Sequence, residues 1–296
     1  MTGLSPKTPM LHGQRMSAMQ VLLKEWEHFL MADPFQDVDA AGEEFIAAFA
    51  DSMDARQADP VMEGIVSNYL AKLRFPSGSL TVEVGAGAGA VTRRVAAKAN
   101  PERVVGFEPS AGFVREAKER TQLQKNVSFE VADGAAIPVD DSSVQNLILH
   151  TVLTHVEKPL RLLQEARRVL KPDGRLVVCD ADFSKACLGS SPCDPLDVCA
   201  KAFVREFVTD PHIVAKLRDL IAQAGFVVTD FDLVSRSILN NDQMLPWVEE
   251  SAKRMLARGE IGQALFDGLV SEYKRRATAG RLYGYQIFAT AIATPN

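Results

Sequence analysis

The sequence has little of what ties a chain to a membrane or a secretory route. No run of about 18 apolar residues occurs in it, and such a run is the minimum for a transmembrane helix. The N-terminus carries no basic segment followed by a long apolar stretch, so no signal peptide is expected. These absences predict a cytoplasmic protein that does not associate with a membrane.

Cysteine is scarce, with four residues in 296. Cys179, Cys187, Cys193 and Cys199 form no Cys-x-x-Cys pair, and their spacing matches neither a zinc knuckle nor a secreted disulfide framework. The sequence therefore predicts reduced thiols and no metal site.

Basic charge is also in short supply. Lys and Arg total 33 against 38 Asp and Glu, for a formal net charge of -5. The clusters at 167–168 and 274–276 have the spacing of a solvated helix face, and no basic stripe could neutralise a phosphate backbone. We expect no nucleic-acid partner and a small-molecule substrate; the sequence leaves a homodimer open.

The first part of the chain has a helical pattern. Apolar residues recur at steps of three and four over 15–31, and further helices are expected over 43–53 and 60–73. Pro60 suits a first helical position, with Asp59 as its cap. Residues 1–75 are predicted to form an N-terminal helical accessory region.

From residue 80 onward, short apolar runs alternate with helical segments, as in a parallel sheet with crossover helices. The expected strands and helices are, in order, 81–84, helix 91–98, 103–107, helix 112–121, 127–131, 144–150, helix 159–170 and 175–179. This alternation predicts a doubly wound, Rossmann-like α/β core over residues 76–183.

The alternation lapses over residues 182–209 and then resumes. The later elements are expected to be a helix over 211–224, a strand over 226–233, a helical insertion over about 239–279 and a strand over 282–294. We predict a seven-stranded, mostly parallel sheet with an antiparallel last strand. An insertion at 184–210 is expected to contact substrate, residues 211–296 to complete the core, and the N-terminal helices and helical insertions to form a lid.

The strongest local motif is a glycine-rich turn, Val-Glu-Val-Gly-Ala-Gly-Ala-Gly-Ala over residues 82–90. Glycines suit a sharp turn that a ligand must approach closely. Gly85, Gly87 and Ala90 also fit the dinucleotide pattern G-x-G-x-x-A, and Glu108 could hold a ribose in either case. A nicotinamide-dependent oxidoreductase is therefore one alternative, although a Tyr-x-x-x-Lys pair is lacking.

Three further features separate the alternatives. Glu83 lies two residues before Gly85, where a carboxylate can receive an ammonium group. Asp133 and Gly134 follow the third strand, where an adenine amino group could donate to the carboxylate. Pro172 and Gly174 mark a sharp helix stop before the fifth strand.

With these residues in place, the stretch from about 80 to 182 resembles the class I S-adenosylmethionine-dependent methyltransferases, especially the branch acting on small metabolites, quinones and natural products. The resemblance implies S-adenosyl-L-methionine as cofactor and S-adenosyl-L-homocysteine as product. The implied contacts are Glu83, Gly85, Ala86 and Gly87 to the methionine part, Glu108, Pro109 and Ser110 to the ribose, and Asp133 and Gly134 to the adenine.

The resemblance also points to residues beside the reacting atoms. His150 and Thr151 follow the fourth strand, where the family places residues near the sulfonium and the acceptor. His155 is the preferred candidate for a general base and His150 the second, and a base is needed only if the acceptor carries a proton. Arg56 is a candidate for the methionine carboxylate, which a guanidinium fits well.

The expected reaction is methyl transfer to an O, N or C atom of a small, aromatic or apolar metabolite of secondary metabolism. Met244, Leu245, Trp247 and Met255 lie where such an acceptor could be recognised. The Asn/Asp-Pro-Pro-aromatic motif of enzymes that methylate amide or base nitrogens is absent. A third alternative is a protein that binds the cofactor and catalyses a non-methylating cyclisation.

Overall fold

A seven-stranded sheet forms the centre of the molecule. The computed structural model describes residues 33–296, so the helix predicted over 15–31 lies outside the described residues. The strands are β1 (Leu80–Val84), β2 (Arg103–Glu108), β3 (Val127–Val131), β4 (Val144–His150), β5 (Leu170–Leu188), β6 (Phe226–Ile238) and β7 (Gly284–Pro295).

The strand order is β3-β2-β1-β4-β5-β7-β6. Strands β1 to β5 pair in parallel, whereas β7 runs antiparallel to both β5 and β6. The predicted fold class, a doubly wound and mostly parallel sheet with an antiparallel last strand, is thus confirmed. The order reverses between β1 and β4, and this reversal opens a crevice at the carboxyl ends of the strands.

Helices cover both faces of the sheet. They are α1 (Val38–Ala41), α2 (Glu43–Gln57), α3 (Pro60–Ala71), α4 (Ala90–Ala99), α5 (Ala111–Glu119), α6 (Pro159–Val169), α7 (Pro195–Phe207), α8 (Ile213–Gln223), α9 (Leu245–Ala257) and α10 (Gln263–Thr278). Two short 3-10 helices span Pro34–Gln36 and Leu153–His155. Among residues 33–296, none of these helices has the length and apolarity required to cross a bilayer.

The central strands are buried on both faces, which explains their nearly continuous apolar runs. Every residue of β4 is buried. Val82 and Leu147 pack on one face with Leu163 of α6, while Ile148 packs on the other face with Val91 of α4. The core therefore holds the carboxyl ends of β1 and β4 in fixed positions.

The helices before β1 follow the sequence pattern closely. Asp59 caps α3, because its Oδ1 accepts hydrogen bonds from the backbone N–H groups of Val61 and Met62, and Pro60 occupies the first turn. Helix α2 runs to Gln57, past the predicted end at residue 53. This extension carries Arg56 and Gln57 to the sheet.

Strand β5 differs from the prediction. It spans Leu170–Leu188 rather than 175–179. The prediction that regular structure lapses over residues 182–209 is therefore wrong for residues 182–188. Pro172 and Gly174, which were predicted to mark a helix stop before this strand, lie inside it, where the register against β4 shifts. The far half is held by antiparallel pairing with β7 as far as Leu188, and β6 extends to Ile238 for the same reason.

The chain after β6 is helical, as predicted for residues 239–279. Helices α9 and α10 pack with α7 around an apolar cluster of their own, which includes Met244, Val248 and Tyr273. Helix α7 lies within the predicted insertion at 184–210. The later insertion therefore rests on the earlier one beside the carboxyl end of the sheet.

Replacing Leu163 by Ala should lower the free energy of unfolding by about 2–5 kcal/mol, because the side chain is 0% exposed and its loss leaves a cavity under the sheet. The measurement is urea denaturation. Leu123→Ala is the matched control, since Leu123 is 96% exposed and its truncation should change stability by less than about 0.5 kcal/mol. Similar losses in both variants would contradict this account of the core.

Candidate active site

A cleft of about 370 Å³ lies at the carboxyl ends of β1, β2, β3 and β4. It is lined by all of the site residues predicted from the sequence except Ser110, and these are Arg56, Glu83, Gly85, Ala86, Gly87, Glu108, Pro109, Asp133, Gly134, His150, Thr151 and His155. Residues from four strand ends and from helix α2 thus meet in one cavity, which is where open α/β sheets bind ligands.

The glycine-rich turn forms the floor of this cleft. The backbone N–H groups of Gly85 and Ala86 both donate to the Phe107 carbonyl oxygen of β2, at 2.8 and 3.1 Å. Gly85 has a φ of +71°, and a Cβ built on it would lie 2.6 Å from Val152 Cγ2. Only glycine fits this position without displacing the loop that follows β4.

Two buried carboxylates flank the turn. Glu83 accepts a hydrogen bond from Thr92 Oγ1 at 2.5 Å, and Glu108 accepts from the backbone N–H groups of Gly87 and Ser110 at 2.9 and 3.1 Å. Burial raises the pKa of Glu83 to about 8 and that of Glu108 to about 7. A ligand that brings cationic or hydroxyl donors to this cleft would favour the ionised carboxylates.

Asp133 lies on the same cleft, after β3. Its Oδ1 accepts a hydrogen bond from the Ala135 backbone N–H at 2.9 Å, which fixes the turn that presents it. Glu83, Glu108 and Asp133 therefore line a common cleft, as the sequence predicted for an adenosyl sulfonium ligand.

Arg56 reaches the cleft from the end of α2. Its Nη2 donates to Thr151 Oγ1 at 3.2 Å, while its buried Nε has no hydrogen-bond partner among the described residues. Burial, reinforced by the nearby Arg236 guanidinium, lowers the pKa of Arg56 to about 10. An anionic ligand group would relieve both effects.

Thr151 follows β4 with a φ of +54°, a left-handed conformation that is rare for a β-branched residue. Its backbone N–H donates to the Cys179 carbonyl oxygen at 2.7 Å. Such conformations persist where surrounding structure enforces them, and they cluster at functional sites.

His150 is buried at the end of β4. Its Nε2 lies 3.3 Å from Gln57 Nε2 and its Nδ1 lies 3.3 Å from the Tyr69 hydroxyl. Burial, together with the charges of Arg56 and Arg94, lowers its pKa to about 3. The ring is therefore neutral at physiological pH, and both of its nitrogens have protein partners.

His155 has a different environment. Its Nδ1 lies 2.7 Å from Asp33 Oδ2, and Phe35 packs against its ring with a centroid separation of 4.6 Å. Asp33 Oδ2 also accepts from the Thr209 backbone N–H and hydroxyl, at 3.1 and 2.9 Å. With Nδ1 as the donor to Asp33, Nε2 is left as the acceptor nitrogen.

Ser110 does not line the cleft. Its hydroxyl caps α5 by accepting from the Phe113 backbone N–H at 3.0 Å and donates to Asp39 at 2.6 Å. Its backbone N–H holds Glu108. The structure therefore gives Ser110 an indirect contact to the cleft, through Glu108.

Several residues around the site were missed from the sequence. Asp33 and Gln57 lie outside the helices predicted over 15–31 and 43–53, and Tyr69 lies inside the helix predicted over 60–73. None of the three was predicted as a site residue. The Asp33–His155 contact joins residues 122 positions apart. The one local signal for Asp33 is the following Pro34, because Asp before Pro is typical of a capped helix start.

The donor set of the cleft fits S-adenosylmethionine. This cofactor carries an ammonium, a carboxylate, two ribose hydroxyls and a sulfonium. The cleft presents two buried carboxylates and a guanidinium whose Nε has no partner within residues 33–296. A dinucleotide pyrophosphate would instead place negative charge beside Glu83 and Glu108. The fold and the cleft thus point to the class of α/β proteins that bind S-adenosylmethionine.

Comparison with known proteins agrees with this class. Residues 82–178 match the family described as a methyltransferase domain. The demethylmenaquinone methyltransferase of Tropheryma whipplei is 29% identical over 178 residues, which cover 55% of this chain and 72% of that protein. The O-methyltransferase CnsE of Penicillium expansum is 25% identical over 226 residues, covering 75% and 77%.

An uncharacterised 37.1 kDa protein of a Streptomyces fradiae transposon is 30% identical over 188 residues, covering 62% of this chain and 54% of that protein. The chain thus spans about half the length of that relative. Phosphoethanolamine N-methyltransferase 2 of Haemonchus contortus has the same fold, with a TM-score of 0.55 at 18% identity over 89% of this chain and 60% of that one. Residues 82–178 thus carry a methyltransferase domain, and the comparisons support S-adenosylmethionine as its cofactor.

Replacing Gly85 by Ala should weaken binding of S-adenosylhomocysteine by at least about tenfold, because the added Cβ must displace Val152 or the turn. The measurement is isothermal titration calorimetry. Gly259→Ala is the matched control: Gly259 has the same φ of +71° but nothing within 4 Å of its added Cβ. It should keep its affinity for the product, and an equal loss in both variants would refute the steric explanation.

The affinity for S-adenosylhomocysteine should rise between pH 6 and 8, because Glu108 has a pKa of about 7 and ribose hydroxyls donate better to its ionised form. Glu108→Gln should bind more weakly and lose much of this pH dependence. Calorimetric titrations at several pH values test both statements, with Glu130→Gln on the exposed face of β3 as control.

The raised pKa of Glu108 has the opposite pH dependence for the stability of the ligand-free protein. The folded pKa lies above the ordinary value of 4.5, so the contribution of Glu108 to stability is fully present below that value and is lost as pH rises towards 7.

A wild-type affinity for S-adenosylhomocysteine that is flat or falls between pH 6 and 8 would contradict the assignment of Glu108.

Proposed function

We propose that the chain transfers a methyl group from S-adenosylmethionine to an oxygen, nitrogen or carbon atom of a small, aromatic or apolar molecule. The observation that carries the proposal is the position of His155 between two cavities. The cleft described above and a second cavity of about 580 Å³ are both lined by Phe35, Met53, Arg56, Thr151 and His155.

Two neighbouring cavities that share lining residues suit methyl transfer. The reaction is an in-line displacement, so the acceptor atom must reach the methyl carbon from the side opposite the sulfur. Two cavities that meet at Thr151 and His155 would hold the two reactants on either side of one point. The bound cofactor supplies an electrophilic methyl group, and the protein supplies alignment and exclusion of water.

His155 is proposed as the general base for acceptors that carry a proton. Asp33 holds Nδ1 at 2.7 Å, which would leave Nε2 to accept a hydroxyl proton as the acceptor oxygen attacks. Asp33 is only 7% exposed, and its hydrogen bonds to Thr209 fix its orientation. We therefore propose Asp33 as the residue that positions His155.

The proposed roles in cofactor binding follow the lining of the cleft. Glu83 would receive the ammonium and Arg56 the carboxylate of the methionine part. Glu108 would hold the ribose hydroxyls, and Asp133 with Gly134 would meet the adenine. Buried His150, bonded to Gln57 and Tyr69, would support the wall beside the sulfonium, and its low pKa favours His155 over it as the base.

A small-molecule acceptor is favoured over nucleic acid by the charges of the surface. Each basic cluster noted in the sequence contains an ion-paired arginine: Arg168 contacts Glu165 and Asp141, and Arg276 contacts Glu272 and Asp194. The named relatives include a demethylmenaquinone methyltransferase and an O-methyltransferase, which supports a quinone-like acceptor or an acceptor methylated on oxygen. A cytoplasmic location remains a prediction.

Replacing His155 by Ala should lower methyl transfer to phenolic acceptors by about 10²–10⁴-fold, because the acceptor hydroxyl loses its base. The measurement is transfer of labelled methyl from S-adenosylmethionine to a panel of naphthols and quinols. Affinity for S-adenosylhomocysteine should change little, since His155 has no proposed contact to it. His212→Ala, at an exposed histidine outside both cavities, is the control.

Unchanged turnover in His155→Ala would remove this residue from the mechanism. Mass spectrometry of the product separates methyl transfer from the cyclisation alternative. A gain of one CH₂ unit supports the proposed function, whereas a rearranged acceptor of unchanged mass with intact cofactor would overturn it.

A further inference from the structure

The second cavity has a wall of aromatic side chains. Phe203 and Trp247 stack with ring centroids 4.8 Å apart and an interplanar angle of 8°, and Phe183 stacks on Trp247 at 5.5 Å and 25°. All three line the cavity, together with Phe35 and Phe49. Its volume of about 580 Å³ is that of a site for a small organic ligand. Planar apolar molecules suit such a wall.

Polar side chains lie together at another part of the same cavity. Arg236 of β6 is the cross-strand partner of Gln286 of β7, and the two are only 3% and 4% exposed. Gln243, which precedes α9, accepts a hydrogen bond from Arg236 Nη2 through its Oε1. All three line the cavity. A buried arginine facing an apolar cavity calls for a specific partner.

The protein supplies only some of the hydrogen-bond acceptors that the Arg236 guanidinium could use. Asp59 Oδ1 lies 3.5 Å from Arg236 Nε, but that Nε donates no hydrogen bond within the described residues. The Asp59 carboxylate already accepts from Val61, Met62 and Gln243. Arg236 therefore keeps donor capacity that Asp59 does not use.

The other charges around the cavity increase this excess. Arg56 lines the cavity as well. The positive charge of Arg236 is close enough to lower the pKa of Arg56. The carboxylates on the lining are Asp51 and Asp242, both at exposed positions, and Asp51 pairs with Arg120 at 2.8 Å. Within residues 33–296, the lining of the cavity thus holds two guanidiniums and no buried carboxylate, while Asp59, which pairs with Arg236, is not part of that lining.

We propose that the acceptor is a planar aromatic acid whose carboxylate binds Arg236, with Gln243 and Gln286 as further donors. This inference rests on the proposed function, because it identifies the second cavity as the acceptor site. The aromatic wall binds the ring system and Arg236 selects for the acid. Arg236 lines the second cavity but not the cofactor cleft, so its proposed contact is to the acceptor and not to the cofactor.

The test compares hydroxynaphthoate with the hydroxynaphthamide of the same substitution pattern, two ligands that differ in the charge of one group. Each is titrated by calorimetry into the protein saturated with S-adenosylhomocysteine. The wild type should bind the acid at least about tenfold more tightly than the amide, as expected for a charged hydrogen bond in a buried site.

Arg236→Gln should reduce the ratio of the two affinities to about one, while Arg236→Lys, which retains the charge, should keep a preference for the acid. Arg281→Gln, at an exposed arginine that lines neither cavity, is the control. Affinity for S-adenosylhomocysteine should be the same in all variants. If Arg236→Gln fails to fold, the wild-type ratio and the Lys variant decide the question.

Equal affinities of the wild type for acid and amide would overturn the proposal, as would saturable binding of neither, or a full acid preference in a folded Arg236→Gln protein. Failure of the proposed function gives a different result: methyl transfer is absent, while the preference for the acid persists in titrations with or without the cofactor product.

Discussion

The site depends above all on the parallel pairing of β1 with β2 on one side and β4 on the other. This pairing places the carboxyl ends of the strands at one edge of the sheet. The strand order reverses between β1 and β4, so a crevice forms between the loops that follow these two strands. The turn after β1 is held to β2 by two hydrogen bonds to the Phe107 carbonyl oxygen. The functional side chains therefore extend from a rigid core, and their mutual distances are set by strand register.

That core also determines the electrostatics of the site. Glu83 and Glu108 are buried because their strands are buried on both faces, and burial raises the pKa of both carboxyl groups. Arg56 extends from helix α2 and Arg236 from the edge strand β6, and each has a buried Nε without a hydrogen-bond partner in the part of the chain that the structure describes. The carboxylates suit cationic and hydroxyl groups of the cofactor, and the guanidiniums suit anionic groups of cofactor and acceptor.

Much of the fold could be predicted from local sequence. The bounds of β3 and β4 agree with the prediction, because short apolar runs between turn signals are typical of buried parallel strands. The Asp59-Pro60 cap was predicted correctly for a similar reason, since capping involves neighbours in sequence. The far half of β5 was missed because its partner β7 lies much later in the chain. In the same way, nothing near Asp33 indicates that its carboxylate holds His155, and nothing near Arg236 indicates that it faces an aromatic cavity.

The sequence by itself indicated the glycine turn and the acidic residues at the strand ends, because each of these follows from the order of residues within one strand-turn-helix unit. Together they carry the resemblance to the methyltransferases. Only the tertiary structure decided which histidine has an available ring nitrogen, since burial and the contacts to Gln57 and Tyr69 separate His150 from His155. It alone also brought Arg236, Gln286 and the aromatic wall into one cavity. These features arise from contacts between segments far apart in the chain, and local patterns of residues carry no record of such contacts.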